Sequence, residues 1–416
     1  RDDLKKKLFR LENVCENILP STVTRLGIIN LGTSENKLCF DLLQKRLMRP
    51  DMLQIEPAFL QYPDWKGHSF LREEVAKFLS HYCRSPKPLK PKNVSVFLLI
   101  QHQYAILIPS PFYGVITEDV GLYSSVKLHH VPLYSQVPTG SDVRPFQLTV
   151  EKLENSLKEA KKEGLNIKAL ILLNPHNPLG EVYSSEEMIS FLEFAKMHKL
   201  HVIVDEIYML SVFNETDTFR SVLSLDGLPD PQRTHIMWGV SKDFAMAGMR
   251  VGMVYSENRD LVQALDQLGC FHGVPGPTQY QMAQLLRDRD WLNSEFLPEN
   301  RRRLREAHSF MTEELKKQDI PFLHRSAGFF IWADLSKYLR EKTFAEELSL
   351  WRCFLKHKVL LSCGQAFSCV SPGWFRIIFT DQLHKLKLGL SIPELAAGQD
   401  PTQLDVFTDL LDKARK

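Results

Sequence analysis

No apolar run in this chain is long enough to cross a bilayer. The longest, such as Val96-Phe97-Leu98-Leu99-Ile100, stop far short of the roughly twenty residues a spanning helix needs. The motifs GxGxxG, GxxxxGK[ST] and GxSxG are all missing, which sets aside the common dinucleotide, P-loop and serine-hydrolase sites. There is no HExxH among 14 histidines and no CxxC among seven cysteines, so no metal site is expected. An odd, scattered set of cysteines suits reduced thiols in the cytoplasm better than a disulfide framework. Charge of one sign is also lacking. With 52 basic against 50 acidic residues and no basic stripe, neither a nucleic-acid nor a membrane partner is expected. Lys5-Lys6-Lys7 is not followed by the apolar stretch of a signal peptide and reads as a solvated helix face. The start at Arg1 is consistent with a fragment or processed form.

What is present is an ordinary globular composition over 416 residues, enough for two lobes. Short β-rich runs alternate with helical stretches in the middle, the pattern of an α/β sheet. Strands are predicted at Val94–Leu98, Ala105–Ile108, Val126–Leu133, Ile167–Leu173, His201–Val204, Ile236–Val240 and Val251–Tyr255. Between the fourth and fifth, Ser184-Ser185-Glu186-Glu187 caps an apolar periodicity at Met188, Phe191, Leu192 and Ala195, which predicts a crossover helix. From about Asp290 the pattern changes to a charged helix, Glu299–Lys317, and strands around Gly328–Trp332 and Phe375–Phe379. The expected organisation is an N-terminal segment (1–60) joining a smaller α+β domain (296–416, with a loose helical tail beyond Pro393) and a large domain (61–295) built on a mostly parallel mixed sheet.

Four segments carry residues that make sense around one ligand. Asn174-Pro175-His176-Asn177-Pro178-Leu179-Gly180 follows a buried-looking strand, and strand C-terminal ends are where open α/β sheets bind ligands. Asp205-Glu206-Ile207-Tyr208 ends the next strand, where a buried carboxylate needs a cationic partner. Ser241-Lys242-Asp243 leads on to Gly248, Arg250 and Gly252, and a desolvated lysine becomes nucleophilic towards an aldehyde. Arg376 sits in an apolar strand, where an internal salt bridge or a bidentate carboxylate would answer its charge. Taken singly, each has a plain alternative: a strand-to-helix turn, an acidic helix start, a surface lysine, an ion pair.

In combination NPxNPxG, DExY, SK with arginine eight residues on, and FR resemble the class I/II aminotransferases from about Ile28 to Thr380. That family has fold-type I and uses pyridoxal 5'-phosphate (PLP). The resemblance implies that Lys242 forms the Schiff base and shuttles protons, that Asp205 pairs with the ring nitrogen, and that Asn177 and Tyr208 bond the phenolic oxygen. It further implies that Ser241 and Arg250 hold the phosphate, Tyr113 stacks on the ring and Arg376 grips the α-carboxylate of an amino-acid substrate. Tyr62 would reach the phosphate of a neighbouring subunit, which implies a homodimer. Leu31-Gly32-Thr33-Ser34-Glu35-Asn36 resembles the GLAEN segment of 1-aminocyclopropane-1-carboxylate (ACC) synthases and makes Glu35 a substrate contact. The stretches 201–213, 231–244 and 372–379 are similar to the vertebrate ACC-synthase-like proteins, the second paralogue before the first.

The sequence departs from that family before Ile106. Val94–Phe97 runs through Leu98-Leu99-Ile100-Gln101-His102-Gln103-Tyr104 into Ala105, about half the dozen or more residues a parallel crossover needs. Either the two strands are not parallel neighbours or one has left the sheet. The loop and helix start that would give backbone N–H groups to the phosphate are gone. Gly239 replaces a frequent serine and Ala245 a usual glycine. Three functions follow: an enzyme acting on an α-amino acid by transamination or lyase chemistry, an inactive descendant with weakened or lost cofactor binding, and, a distant last given the missing motifs, an α/β enzyme using another cofactor.

Overall fold

The computed structural model describes residues 28–62, 64–96, 105–123, 126–136, 143–214, 218–269, 272–383 and 385–387. The lysine run near the N-terminus and the tail beyond Pro393 lie outside them. Twelve strands are described: β1 (Ile29–Asn30), β2 (Val94–Ser95), β3 (Ala105–Ser110), β4 (Lys127–Pro132), β5 (Ile167–Leu173), β6 (His201–Asp205), β7 (Thr234–Gly239), β8 (Gly252–Ser256), β9 (Phe330–Asp334), β10 (Val359–Leu360), β11 (Ser362–Cys363) and β12 (Trp374–Ile378).

Seven strands form one sheet in the order β2-β8-β7-β6-β5-β3-β4. All pairings are parallel except the two made by β8. In β5, Leu170 and Leu172 join the large apolar cluster, whereas Ile171 and Leu173 pack with Ile108 and Phe112 in another. Alternate residues thus bury on opposite faces, as the near-continuous apolar run of a doubly covered parallel strand requires. The helix Ser185–Met197 begins with a complete capping box between Ser184 and Glu187 and carries the chain from β5 to its parallel neighbour β6, as the sequence predicts.

The predicted strands all occur, with ends moved by one or two residues, except that β2 is described only at Val94–Ser95. Phe97 and Leu98 lie outside the described residues, as does the rest of the short connection 97–104. Of the two expectations for that connection the first holds. β2 pairs antiparallel with β8 at one edge, and β8, β7, β6 and β5 separate it from β3.

A second core gathers Leu304 and Met311 of the helix Leu297–Lys317 with Phe329, Ile331, Phe354, Phe375, Ile377 and Phe379. It covers the antiparallel sheet β11-β12-β9, and β1 pairs beside it with β10. One contact between the turn after β3 and the 3-10 turn Gly364–Phe367 is tight: a Cβ on Gly114 would lie 1.9 Å from the Ala366 carbonyl oxygen. Gly114→Ala must push backbone from backbone, and a loss of about 1–3 kcal/mol is expected, measured as a lower thermal denaturation midpoint.

Candidate functional site

Four consecutive strands of the sheet, β7, β6, β5 and β3, end at the same edge because they run parallel. After β7 a one-turn helix, Val240–Asp243, carries Ser241 and Lys242. Asp205 is the last residue of β6, with Tyr208 in the turn beyond it; β5 leads into the loop holding Asn177, and β3 into Tyr113. Parallel pairing therefore sets the chemistry of four distant segments side by side. Arg376 arrives from β12 of the other sheet, and its Nη1 donates to Asn177 Oδ1 at 2.9 Å.

The Lys242 amine is mostly desolvated, and burial together with the nearby Arg376 charge draws its pKa down to about 8, against the opposing pull of Glu35 and Asp205. Its Nζ donates to the backbone carbonyl of Ser34. The Asp205 carboxyl accepts from the Ile207 N–H at 3.1 Å, and burial pushes its pKa up to about 6. Tyr208 is 2% exposed, lies edge-on to Phe329 and Phe330, and has its hydroxyl 2.7 Å from Ser34 Oγ. Burial raises the pKa of Tyr208 well above the usual phenol value.

Arg376 is buried with its guanidinium carbon 4.7 Å from the Phe367 ring and 5.6 Å from Phe330. Nη2 donates to the Gly32 carbonyl at 2.6 Å, while buried Nε finds no partner among the described residues. No carboxylate among them pairs with it, so the internal ion pair that could have explained a buried arginine is not there. Burial accordingly lowers the Arg376 pKa.

Arg250 is exposed, adopts φ +54°, and donates to the Ala247 carbonyl at 3.0 Å; its charge still reaches Lys242 and Tyr113. Ser241 is half-buried beside the lysine. Tyr113 is 37% exposed, and its pKa is raised by burial while Arg376, Asp119, Asp205 and Arg250 act on it in turn. Glu35 is exposed at the rim. Tyr62 is not brought to the others within this chain: it is 91% exposed with its ring near Trp65. The two small departures have structural counterparts. A Cβ on Gly239 would meet the Val251 carbonyl oxygen at 2.8 Å, and Ala245 sits at φ +53°, where glycine alone is free of strain.

Three parts of the site were not singled out from sequence. Ser34 and the Gly32 carbonyl lie within the Leu31–Asn36 stretch, where only Glu35 carried a role. Asp243, fully buried beside Lys242, accepts from Ser211 Oγ at 2.6 Å, Trp238 Nε1 at 2.9 Å and the Leu210 N–H at 3.2 Å. Phe367, which ends the 3-10 turn Gly364–Phe367, gave no signal, since a lone aromatic reads like any core residue.

The donor set fits PLP. A lowered-pKa amine, a half-buried carboxylate for a cationic ring nitrogen, an amide and a phenol, and an unpaired buried arginine converge on one edge. The set is weaker where a phosphate would lie: Ser241 is half-buried, and Arg250 is exposed with its Nη1 on the Ala247 carbonyl.

A profile of the aminotransferase class I and II family matches residues 26–386. The chain is 61% identical over 392 residues to 1-aminocyclopropane-1-carboxylate synthase-like protein 1 of Takifugu rubripes, covering 91% of this chain and 63% of that relative's own length. It is 50% identical to the human probable inactive 1-aminocyclopropane-1-carboxylate synthase-like protein 2, covering 88% of this chain and 66% of that one. Identity is thus higher to the protein named 1, the reverse of the order expected from the short stretches. The aromatic aminotransferase of Pyrococcus horikoshii shares the fold-type I architecture, with a TM-score of 0.72 at 22% identity over 89% of this chain and 96% of that one.

Proposed function

The chain belongs to the class I and II aminotransferase family, and from that premise we propose that it binds PLP through Lys242 and presents it to an α-amino acid held by Arg376. The observation that carries this reading is Arg376 itself, a buried guanidinium stacked on Phe367, with neither a partner for Nε nor a carboxylate partner among the described residues. An amino-acid carboxylate supplies the missing charge. When bound, PLP supplies an electron-withdrawing ring that stabilises negative charge at the amino acid's Cα.

The chain's own groups do the rest. Lys242, with a pKa near 8, exists partly as free amine at neutral pH and can both attack an aldehyde carbon and later carry a proton. Asp205 would hold the proton on the ring nitrogen. Asn177 gives its Oδ1 to Arg376, which leaves its Nδ2 to donate to the phenolic oxygen beside Tyr208. Ser241 and Arg250 would hold the phosphate, Tyr113 would cover the ring, and Glu35 would meet the substrate.

A homodimer completes the site in this reading. Tyr62 is exposed, as are Phe40, Met48, Leu53, Ile55 and Leu60 in the residues before it, and large exposed apolar side chains are what a partner would cover. Residues 61–295 would form the large domain and 296–416, with 1–60, the small one. The thiols of Cys39, Cys83, Cys353, Cys363 and Cys369 are unpaired, which supports a cytoplasmic setting.

A second reading is favoured by the short link between β2 and β3. It is too short for the crossover whose helix start gives N–H groups to phosphate. Each charged hydrogen bond lost is worth about 1.5–3 kcal/mol, so two of them weaken binding by roughly 10²–10⁴. This chain would then be an inactive descendant. Adding single amino acids and S-adenosylmethionine to the PLP-loaded protein separates the two. A substrate-dependent change in visible absorbance, removed by Lys242→Ala, is expected of the enzyme. A loaded protein silent to every amino acid would leave the second reading.

A further inference from the structure

Ser34 touches both reactive side chains of the site with different atoms. Its carbonyl accepts from Lys242 Nζ and its Oγ lies 2.7 Å from the Tyr208 hydroxyl. It is 5% exposed, so bulk water does not stand in for either contact. Its segment is fastened to the smaller sheets: Leu31 N donates to the Leu360 carbonyl, Ile378 N to the Leu31 carbonyl, and Thr380 Oγ1 to the Glu35 carbonyl. Ser34 is thereby held by strands other than those that carry Lys242 and Tyr208.

The hydrogen between two hydroxyls can lie on either oxygen. Ser34 Oγ has no other hydrogen-bond partner among the described residues, so its O–H is free to donate to the phenol. If Ser34 donates to Tyr208, the tyrosine must send its O–H elsewhere, and a donor that itself accepts a hydrogen bond is strengthened. Building on the PLP reading above, we propose that Ser34 is a positioning residue: its hydroxyl donates to Tyr208 and commits that phenol to donate towards the cofactor's phenolic oxygen. Asn177 is fixed in the same sense by Arg376 on its Oδ1, so both donors to that oxygen have their acceptor sides occupied.

The sign of the effect follows. A stronger Tyr208 donor stabilises the negative form of the phenolic oxygen and lowers the pH midpoint of the bound cofactor's visible absorbance. Ser34→Ala is expected to raise that midpoint by on the order of half a pH unit, and Ser34→Thr to restore it. In a Tyr208→Phe background Ser34→Ala is expected to add nothing, because the two residues act as one unit. A purely structural role would lower the melting temperature without moving the midpoint. An unmoved midpoint, or an equal shift with and without Tyr208, overturns the proposal.

A readout without cofactor keeps the two readings apart. In protein labelled at tyrosine Cζ with carbon-13, the resonance that disappears in Tyr208→Phe should shift in Ser34→Ala and return in Ser34→Thr; a resonance indifferent to Ser34 also overturns the proposal. Wild-type protein that takes no PLP on Lys242 sinks the function proposed above, and the cofactor-directed role of Ser34 with it, even where the carbon-13 shift reports the contact.

Discussion

After incubation with PLP and reduction with borohydride, the wild-type chain is expected to carry one pyridoxyl group, on Lys242, and the Lys242→Ala variant none. The reason is the state of the amine. An ordinary lysine titrates near 10.5, whereas burial and Arg376 bring Lys242 down to about 8. At pH 7.5 that difference gives roughly two orders of magnitude more free amine than on a surface lysine. The labelling rate should rise from pH 6, reach half its plateau near pH 8, and flatten above 9. Rates still climbing at pH 10, or label spread over surface lysines in peptide mapping, would mean that this amine is not the one set apart by the fold.

The second large effect is on stability. Asp243→Ala removes the common acceptor of Ser211 Oγ, Trp238 Nε1 and the Leu210 N–H at a fully buried position. Each stranded buried donor costs about 1–3 kcal/mol, so with three of them a loss of at least about 3 kcal/mol is expected in denaturant unfolding, a large share of a typical domain's stability. Asp243→Asn keeps one acceptor oxygen and should lose less. The effect matters for function because Asp243 ends the one-turn helix that carries Lys242. A change under about 1 kcal/mol for Asp243→Ala would show that the helix is held in place by packing alone.

The sheet and its reactive edge were legible because they rest on strong local signals. Ile167–Leu173 is an apolar run with turn residues on both sides, and Ser184 with Glu187 marks a helix start, so strand, helix and strand follow in sequence. Asp205 ends its strand and Asn177 and Lys242 follow theirs within a few residues, and parallel pairing turns that repeated position into proximity. The place of β2 was open for a physical reason: an edge strand of two described residues pairs with β8, some 160 positions later in the chain, and no local pattern encodes that partner. Ser34 and Phe367 were hidden for a related reason. A small polar residue and a lone aromatic gain meaning only when Tyr208 and Arg376 are brought to them from elsewhere. Tyr62 remains a residue whose proposed role needs a second copy of the chain.

The most direct test of the site is a PLP titration of the purified protein at pH 7.5, followed by visible absorbance. A saturable band reaching one equivalent per chain, absent in Lys242→Ala and weakened in Asp205→Ala, is the result expected if Lys242, Asp205, Asn177 and Arg376 still form a working cofactor site. Failure to saturate at millimolar PLP, with wild type and Lys242→Ala alike, would contradict it and leave the fold without its cofactor.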